Sequence, residues 1–442
     1  MHNNEKLLLQ QFFHLHPIMK KNARIRIAYL SLIKYLCGQY AEDYKWANSQ
    51  MKLMKDFFMQ KDSFFPIQIT KKNEITFTID RNRKQVFNYK FFKYRYNILT
   101  DCLMINAFSD IEHGRAVLSR ICEIFPKNIN KLNILFNNFY NVDIDVIRSR
   151  FPRMLGIYRV IDNNRKFICK PEKRIMITAN MSAGKSTLLN SLVGKNVSKT
   201  QSCVCTSKIH YLFNKSGDDD LSCELDYDLE LNATQKILME DNDNNLSTDI
   251  CVATRFRSLY EINNRICFID TPGVNSSQNE DHRELTDAVI SDNNCDLLIY
   301  LLNGENIGTD DDVRHLRFVS ENYHGKIIFL VNKVDKYKKG TDSVHETLTK
   351  AKKDLEKFGF GSPAIYPISA YAAYLAKMSI FNEELTDDER DDLEFMRHKL
   401  SKDEYRFDGY FGINTVSVDE NDEDEVLLRN SGMLSLEQII YE

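Results

Sequence analysis

The chain has 442 residues, of which 43% are hydrophobic and 28% are charged. This length leaves room for two domains, and the composition is that of a globular protein with a buried core. No stretch reaches the roughly 18–20 consecutive apolar residues that a membrane-spanning helix needs, and the amino terminus lacks the basic segment and cleavage site of a signal peptide.

Charge is distributed unevenly along the chain. The net charge is only −4, yet residues 1–173 hold 30 Lys and Arg against 15 Asp and Glu, while the remainder holds 29 against 48. Such a split predicts two units with different surfaces and partners. The ten cysteines include no CxxC pair, which favours reduced thiols in a cytoplasmic protein over a zinc site. Peripheral association with a membrane remains an alternative.

Residues 1–164 are predicted to form a smaller, mostly helical, basic domain. Apolar residues recur at helical spacing in the first part, as at Ile25, Tyr29, Leu32 and Leu36. The later segment 81–96 mixes lysine and arginine with aromatic residues. A helix that buries its aromatics while the cations reach water is the favoured interpretation. Contact with an anionic membrane surface, or with the acidic later part of the same or another chain, remains an alternative, and nucleic acid is the least favoured partner.

From residue 165 to 442 the pattern changes to strands alternating with helices. This alternation predicts an α/β domain with a mostly parallel sheet and helices on both faces. The strand-like runs are RIMITA, KIHYLF, ICFID, DLLIYLL, KIIFLVN and AIYPIS.

Residues 179–186 read ANMSAGKS and stand between the first of these strands and the helical run TLLNSLVG. A strand, a tight loop and a helix amino terminus form a P-loop, in which backbone amides cradle phosphates, Lys185 reaches the β- and γ-phosphates, and the Ser186 hydroxyl binds Mg²⁺. Ala179 replaces the first glycine of the pattern, which is acceptable if that position needs no positive φ. The predicted nucleotide contacts are Asn180, Met181, Ser182, Ala183, Gly184, Lys185, Ser186 and Thr187.

Two further positions are predicted to serve the metal ion and the γ-phosphate. Asp270 ends the strand ICFID and begins the sequence DTPG; an aspartate there holds Mg²⁺, and the amide of Gly273 follows the γ-phosphate. Thr206, just before KIHYLF, is predicted to bind Mg²⁺ through its hydroxyl and to orient the attacking water. Thr200 and Ser207 remain alternatives to Thr206.

Two later strands end in residues suited to guanine. Asn332-Lys-Val-Asp335 follows KIIFLV, and the Asp335 carboxylate would accept hydrogen bonds from N1–H and the 2-amino group, a pair that adenine lacks. Asn332 is expected to brace the loops and Lys333 to cover the base. Ser369 and Ala370 follow AIYPI, and a backbone amide there would contact the guanine O6. The predicted ligand is therefore GTP or GDP.

Taken together, the stretches NMSAGKSTLLNSLVG, CVCTSKI, DTPGVNSS and DLLIYLLNGENIGTDDD resemble a dynamin-like GTPase of the bacterial type. The long interval between Thr206 and Asp270 fits a large G domain better than a small Ras-like or ribosome-assembly GTPase, and the closing SGMLSLEQII resembles a last helix that packs back on the sheet. The resemblance implies GTP hydrolysis with Lys185, Ser182, Thr206 and Gly273 at the reacting phosphate. It also implies a monovalent cation (K⁺ or Na⁺) near Ser182, and dimerisation through G domains or with a related dynamin-like partner.

Two departures from the family pattern shape the functional hypotheses. Met181 stands where eukaryotic dynamins have a glutamine that helps place the attacking water, and a thioether cannot donate a hydrogen bond. The residues after Ala370 are too few for a helical stalk, so autonomous membrane fission is not expected. One hypothesis is a GTP-hydrolysing enzyme accelerated by dimerisation. The other is a slowly hydrolysing, GTP-gated module that recruits a partner protein or a membrane.

Overall fold

The computed structural model describes residues 4–37, 44–60, 90–180, 182–197, 208–219, 221–225, 228–234, 237–238, 249–272, 280–338 and 343–441. The chain forms two compact units. The first contains Met1–Cys169 and Ser216–Ala233, and the second contains Lys170–Lys215 and Thr234–Glu442. Ser216–Ala233, a segment from the middle of the chain, thus belongs to the first unit.

The first unit is mainly helical, as its apolar spacing predicts. Its helices are α1 Ala23–Cys37, α2 Tyr44–Gln60, α3 Arg95–Asn106, α4 Ile111–Ile124, α5 Ile129–Tyr140, α6 Ile144–Arg150 and α7 Leu155–Ile168. Asp110 is the N-cap residue of α4 and Asp143 that of α6, and each aspartate accepts hydrogen bonds from two amides of the following first turn. These bonds satisfy donors that a helix leaves open at its start.

Helix α3 is the centre of this unit. Every residue from Asn97 to Asn106 is buried, which is the pattern of a helix surrounded on all sides. One polar group in this interior is Asp101, which accepts a hydrogen bond of 2.6 Å from the Tyr29 hydroxyl. His16 lies 3.3 Å from the same carboxylate oxygen. These contacts tie the amino-terminal segment and α1 to α3.

The hairpin of β3 (Ser222–Leu225) and β4 (Asp228–Glu230) packs against α2 within the first unit. Lys45 and Lys52 of α2 each form an ion pair of 2.5 Å, with Glu224 and Glu230 respectively. Upstream of the hairpin, the Ser216 hydroxyl accepts a hydrogen bond of 3.2 Å from the amide of Gln10. The segment is therefore joined to the first unit by contacts at both of its ends.

The basic and aromatic segment is only partly within the described residues. Its first part, residues 81–89, lies outside them. In the remainder, the side chains of Phe91 and Tyr94 are buried, whereas Phe92 is 39% exposed. For these residues the geometry matches a helix that buries part of its aromatic face.

The second unit contains an α/β sheet. Its strands are β1 Glu172–Ala179, β2 Ile209–Asn214, β5 Asp249–Thr254, β6 Arg265–Asp270, β7 Leu297–Asn303, β8 Ile327–Asn332 and β9 Ala364–Ile368. They lie in the order β5-β2-β6-β1-β7-β8-β9. All neighbours are parallel except β2 and β6. The predicted mostly parallel sheet is confirmed; β5 was not among the strands predicted from the sequence.

Helices cover this sheet and place the loops of interest along one edge. They are α8 Lys185–Val193, α9 Glu280–Ser291, α10 Asp310–Asn322, α11 Val344–Lys357, α12 Ala370–Ile380, α13 Asp387–Leu400, α14 Glu423–Asn430 and α15 Met433–Tyr441. The carboxyl ends of the parallel strands β1, β6, β8 and β9 share an edge, because parallel strands run in one direction. The loops that follow Ala179, Asp270, Asn332 and Ile368 therefore begin along that edge.

The closing helix α15 is held by a buried ion pair. Lys377 of α12 and Glu437 of α15 are fully buried and bonded to each other. Burial lowers the pKa of Lys377 and raises that of Glu437, because desolvation disfavours both charged forms.

Within the described part of the chain, the helices are too short or too polar to span a membrane.

Candidate functional site

The loop after β1 has the backbone of a phosphate-binding loop. Strand β1 ends at Ala179, and α8 begins at Lys185 with Gly184 as its N-cap residue. The amide of Ala183 donates to the carbonyl of Asn180 at 3.3 Å, which closes the turn. Ser182 has φ +62°. Because Gly184 has no side chain to cap the helix, the first amides of α8 remain able to bind an anion.

Gly184 is required at its position for two reasons. Its φ is +94°, and an added Cβ would lie 2.4 Å from Nδ2 of Asn332. Both the left-handed backbone and the close approach therefore exclude a side chain. The glycine brings the phosphate loop against the end of β8.

Asn332 joins the phosphate loop to the loop after β9. Its Nδ2 donates to the carbonyl of Ala183 at 2.8 Å, and its Oδ1 accepts from the amide of Ala370 at 3.0 Å. The side chain is 3% exposed. One buried amide group thus fixes the separation between the predicted phosphate contacts and the predicted base contacts.

Asp335 and Ser369 lie together at the end of β8 and β9. Asp335 is 4% exposed, and burial raises the pKa of its carboxyl, while a hydrogen bond from Ser369 acts in the opposite direction. The Ser369 hydroxyl also accepts from the amide of Ala372 at 3.2 Å, as the N-cap of α12. A buried carboxylate held in this way can accept hydrogen bonds with little screening by water.

Lys333 precedes this carboxylate in a left-handed conformation, with φ +64°. Its Nζ lies 3.6 Å from Oε2 of Glu305, and Nζ of Lys336 lies 3.2 Å from the same oxygen. Glu305 comes from the loop after β7. The lysine stem is therefore anchored at its end, as a side chain that covers a planar base requires.

Asp270 and Lys185 form the charged centre of the site. Lys185 Nζ is bonded to Oδ1 of Asp270, and the carboxylate is fully buried. Oδ2 of Asp270 is also buried and has no hydrogen-bond partner within the described part of the chain. An oxygen of this kind is a suitable Mg²⁺ ligand, and Ser186 supplies a hydroxyl in the first turn of α8. Thr206, Met181 and Gly273 lie outside the described residues.

The structure adds polar residues that the motifs did not reveal. Nδ2 of Asn180 donates to Oδ1 of Asp312, in the first turn of α10. Two residues earlier along β1, the Thr178 hydroxyl lies 2.9 Å from Nε2 of His315. The sequence Thr309-x-x-Asp312 is a recognisable capping box, so the start of α10 was predictable. Its contact with the phosphate loop was not, because that contact is set by the packing of α10 on the sheet.

Comparison with known proteins finds similarity over the part of the chain that contains the phosphate loop, Asp270 and Asn332. Residues 175–334 match the family described as Dynamin family. A probable transmembrane GTPase, FZO-like and chloroplastic, from Arabidopsis thaliana is 27% identical over 237 residues, which are 53% of this chain and 23% of that protein. Dynamin-like protein A of Bacillus subtilis is 27% identical over 172 residues, which are 38% of this chain and 14% of that protein.

The matched segments span less than a quarter of either relative. Among solved structures, Era from Aquifex aeolicus bound to GDP and AlF4⁻ is similar with 18% identity and a TM-score of 0.28, over 49% of this chain and 58% of that chain. The order and direction of the strands in this chain show its fold without reference to that structure.

Proposed function

We propose that this chain, whose residues 175–334 are a dynamin-family segment, binds GTP and hydrolyses it to GDP and phosphate. The observation that carries the proposal is the double contact of Asn332, which joins the phosphate loop through Ala183 and the base loop through Ala370. A side chain in that position sets one distance between two half-sites. This is the geometry needed to hold the phosphates and the base of one nucleotide together.

Guanine would be selected by Asp335. Its buried carboxylate, bonded by Ser369, would accept from N1–H and from the 2-amino group of the base. An adenine ring presents an acceptor at N1 and no 2-amino group, so ATP would leave the carboxylate desolvated without a donor, which is strongly unfavourable. Lys333 would cover the ring, and the amide of Ala370 or its neighbour would face O6.

The phosphates would lie on the loop from Asn180 to Thr187. Lys185 is bonded to Asp270 in this structure, and its ammonium group would turn to the β- and γ-phosphates when GTP binds. The amides at the start of α8 would neutralise charge that develops on the phosphates during transfer to water. Asn180, Met181, Ser182, Ala183 and Gly184 would supply the loop backbone.

Mg²⁺ fits the donors present, since Oδ2 of Asp270 is a buried oxygen that no other described residue bonds. Ser186, Thr206 and Asp270 would hold the ion, and when bound it would neutralise the phosphate charge. Gly273 would follow the γ-phosphate. A K⁺ or Na⁺ ion beside Ser182 belongs to the same proposal, because that residue is exposed in the phosphate loop.

The proposed partners of this chain follow from the residue at position 181. Met181 cannot donate a hydrogen bond to water, so we expect slow hydrolysis by the isolated chain and faster hydrolysis in a dimer of G domains or with a related dynamin-like partner. The second candidate is a cytoplasmic module that hydrolyses GTP slowly and, when GTP is bound, recruits a partner protein or binds an anionic membrane. Met181 is the residue that favours it.

The test combines binding with turnover. GTP and ATP are titrated calorimetrically into the full chain with Mg²⁺, and phosphate release is then measured at increasing protein concentration. Selective GTP binding with a rate per molecule that rises with concentration supports the dimer-activated enzyme. Selective binding with a flat, slow rate supports the gated module. Equal affinity for GTP and ATP, or no binding of either, overturns the proposal.

A further inference from the structure

Two polar contacts connect the end of β1 and the beginning of the phosphate loop to α10. Thr178, in the strand, contacts His315 at 2.9 Å, and Asn180, the first residue after the strand, is bonded to Asp312. Asp312 and His315 are one turn apart on α10, so they face the same direction. Both are only 4% exposed. The helix thus holds two positions of the segment that leads into the phosphate loop.

The two oxygens of Asp312 have different partners. Oδ2 accepts from the amides of Gly308 at 3.2 Å and Thr309 at 3.4 Å, which caps the start of α10. Oδ1 is bonded to Asn180. The bonds of Oδ2 to the start of α10 therefore fix the orientation of the carboxylate independently of the phosphate loop. Because the carboxylate of Asp312 has little freedom to reorient, it can hold the side chain that is bonded to it in one position.

Capping alone does not require this arrangement. Helix α13 has the same capping box, in which Thr386 accepts from the amide of Glu389 and Glu389 accepts from the amide of Thr386. Thr386 is exposed and Glu389 is half-buried, whereas Asp312 is 4% exposed. Taking a carboxylate out of water is unfavourable unless its oxygens are bonded. The burial of Asp312 is therefore better explained by its contact with Asn180 than by the needs of the helix.

Asn180 is restrained through its main chain as well. Its carbonyl accepts from the amide of Ala183 at 3.3 Å, which closes the loop, while its side-chain Nδ2 is bonded to Asp312. With the strand fixed at Thr178, these bonds hold both the main chain and the side chain of Asn180, the first residue of the loop that leads to α8.

We infer that Asp312 is a positioning residue of the phosphate loop, which holds the loop in its nucleotide-binding conformation through the side chain of Asn180. The nucleotide part of this inference depends on the proposed function, whereas the conformational part does not. Asp312 need not touch the nucleotide. Its effect would pass through a single hydrogen bond, so reversing the direction of that bond should preserve the effect.

The experiment exchanges the two side chains in the full chain. Asn180→Asp places two carboxylates in contact, and we expect faster amide exchange in a peptide covering the phosphate loop and at least a tenfold weaker affinity for GTP. Adding Asp312→Asn restores a donor and an acceptor in reversed order, with the original net charge. The double variant should return to within about threefold of the wild-type affinity, with wild-type exchange. Hydrogen exchange is measured by mass spectrometry without nucleotide.

The control is Thr386→Ala, which removes the same kind of helix cap from α13. It should lower the melting temperature while leaving exchange in the phosphate loop unchanged. Failure of the double variant to recover, or wild-type exchange in Asn180→Asp, overturns the inference. If wild-type protein does not bind GTP while the exchange pattern follows the expected order, the proposed function fails and the positioning role of Asp312 stands.

Discussion

Replacing Asp335 by asparagine should change the base that the pocket accepts. The side chain keeps its shape and its place beside Ser369, but one carboxylate oxygen becomes an amino group. For guanine, the contact with N1–H weakens because the acceptor loses its charge, and the 2-amino group then faces another donor. For xanthine, which has a carbonyl at position 2, the new amino group finds an acceptor.

The size of the effect follows from the burial of this side chain. Asp335 is 4% exposed, and burial raises the pKa of its carboxyl, so water contributes little screening to its bonds. A hydrogen bond to a charged group contributes about 1.5–3 kcal/mol. Losing one of these bonds and weakening the other reduces GTP binding by about 2–5 kcal/mol, or roughly 30- to 5,000-fold in Kd. Xanthosine triphosphate should gain affinity and bind more tightly than GTP.

The assay is calorimetric titration of GTP, xanthosine triphosphate and ATP into the wild type, Asp335→Asn and a matched surface variant. Asp354→Asn is suitable as the surface variant, because the Asp354 side chain on α11 is 41% exposed and paired with Lys357. We expect it to bind GTP as the wild type does. A GTP affinity of Asp335→Asn within threefold of wild type, or a continued preference for GTP, would refute the assignment of Asp335 to the base.

Three further predictions concern pH, the loop glycine and the buried ion pair. Since burial raises the pKa of Asp335 and protonation removes an acceptor, GTP affinity should fall on acidification with a midpoint above the ordinary aspartate value of about 3.9; titrations across pH check this. Gly184→Ala should weaken GTP binding at least tenfold because of its positive φ and its contact with Asn332, as measured by calorimetry. Glu437→Ala should lower the free energy of unfolding by about 3–5 kcal/mol, read from denaturant midpoints, because it leaves Lys377 buried and unpaired.

Each of these has a control within the chain. The acid dependence should be absent from Asp335→Asn, and its persistence there would assign it to another group. Gly359 has φ +95°, and a Cβ added there would meet no described atom within 4 Å, so Gly359→Ala tests backbone strain alone and should leave GTP affinity unchanged. Glu394 is paired with Arg397 at the surface, and Glu394→Ala should change stability by less than about 1 kcal/mol. An equal loss in Glu394→Ala would contradict the ion-pair argument.

The second unit was largely predictable because its strands are buried runs with motif residues at their ends. Six such runs correspond to β1, β2, β6, β7, β8 and β9. Buried parallel strands are continuous apolar runs, so they stand out in a sequence. The residues around Asn332 and Asp335 could be located in the same way, since the carboxyl ends of parallel strands share an edge. Strand β5, DICVAT, has neither a motif residue at its end nor an apolar run as long as the LLIYLL of β7.

Side-chain contacts between distant parts of the chain could not be predicted from the sequence. Nothing in the spacing of Asn180 and Asp312, which are 132 residues apart, indicates that they meet. The same holds for Lys377 and Glu437, where a lysine in an alanine-rich helix gives no sign of burial. Side-chain pairs of this kind depend on how helices pack on the sheet, and a one-dimensional pattern does not encode that packing.

The membership of residues 216–233 in the first unit bears on how the protein is made. The amide of Gln10 bonds to Ser216, 206 residues later in the chain, and Lys52 bonds to Glu230. During synthesis the amino-terminal helices emerge first, but this unit cannot acquire all its contacts until the ribosome has passed residue 233. By then the strand β1 and the phosphate loop have also been synthesised. A fragment ending at Cys169 would therefore lack part of its own unit.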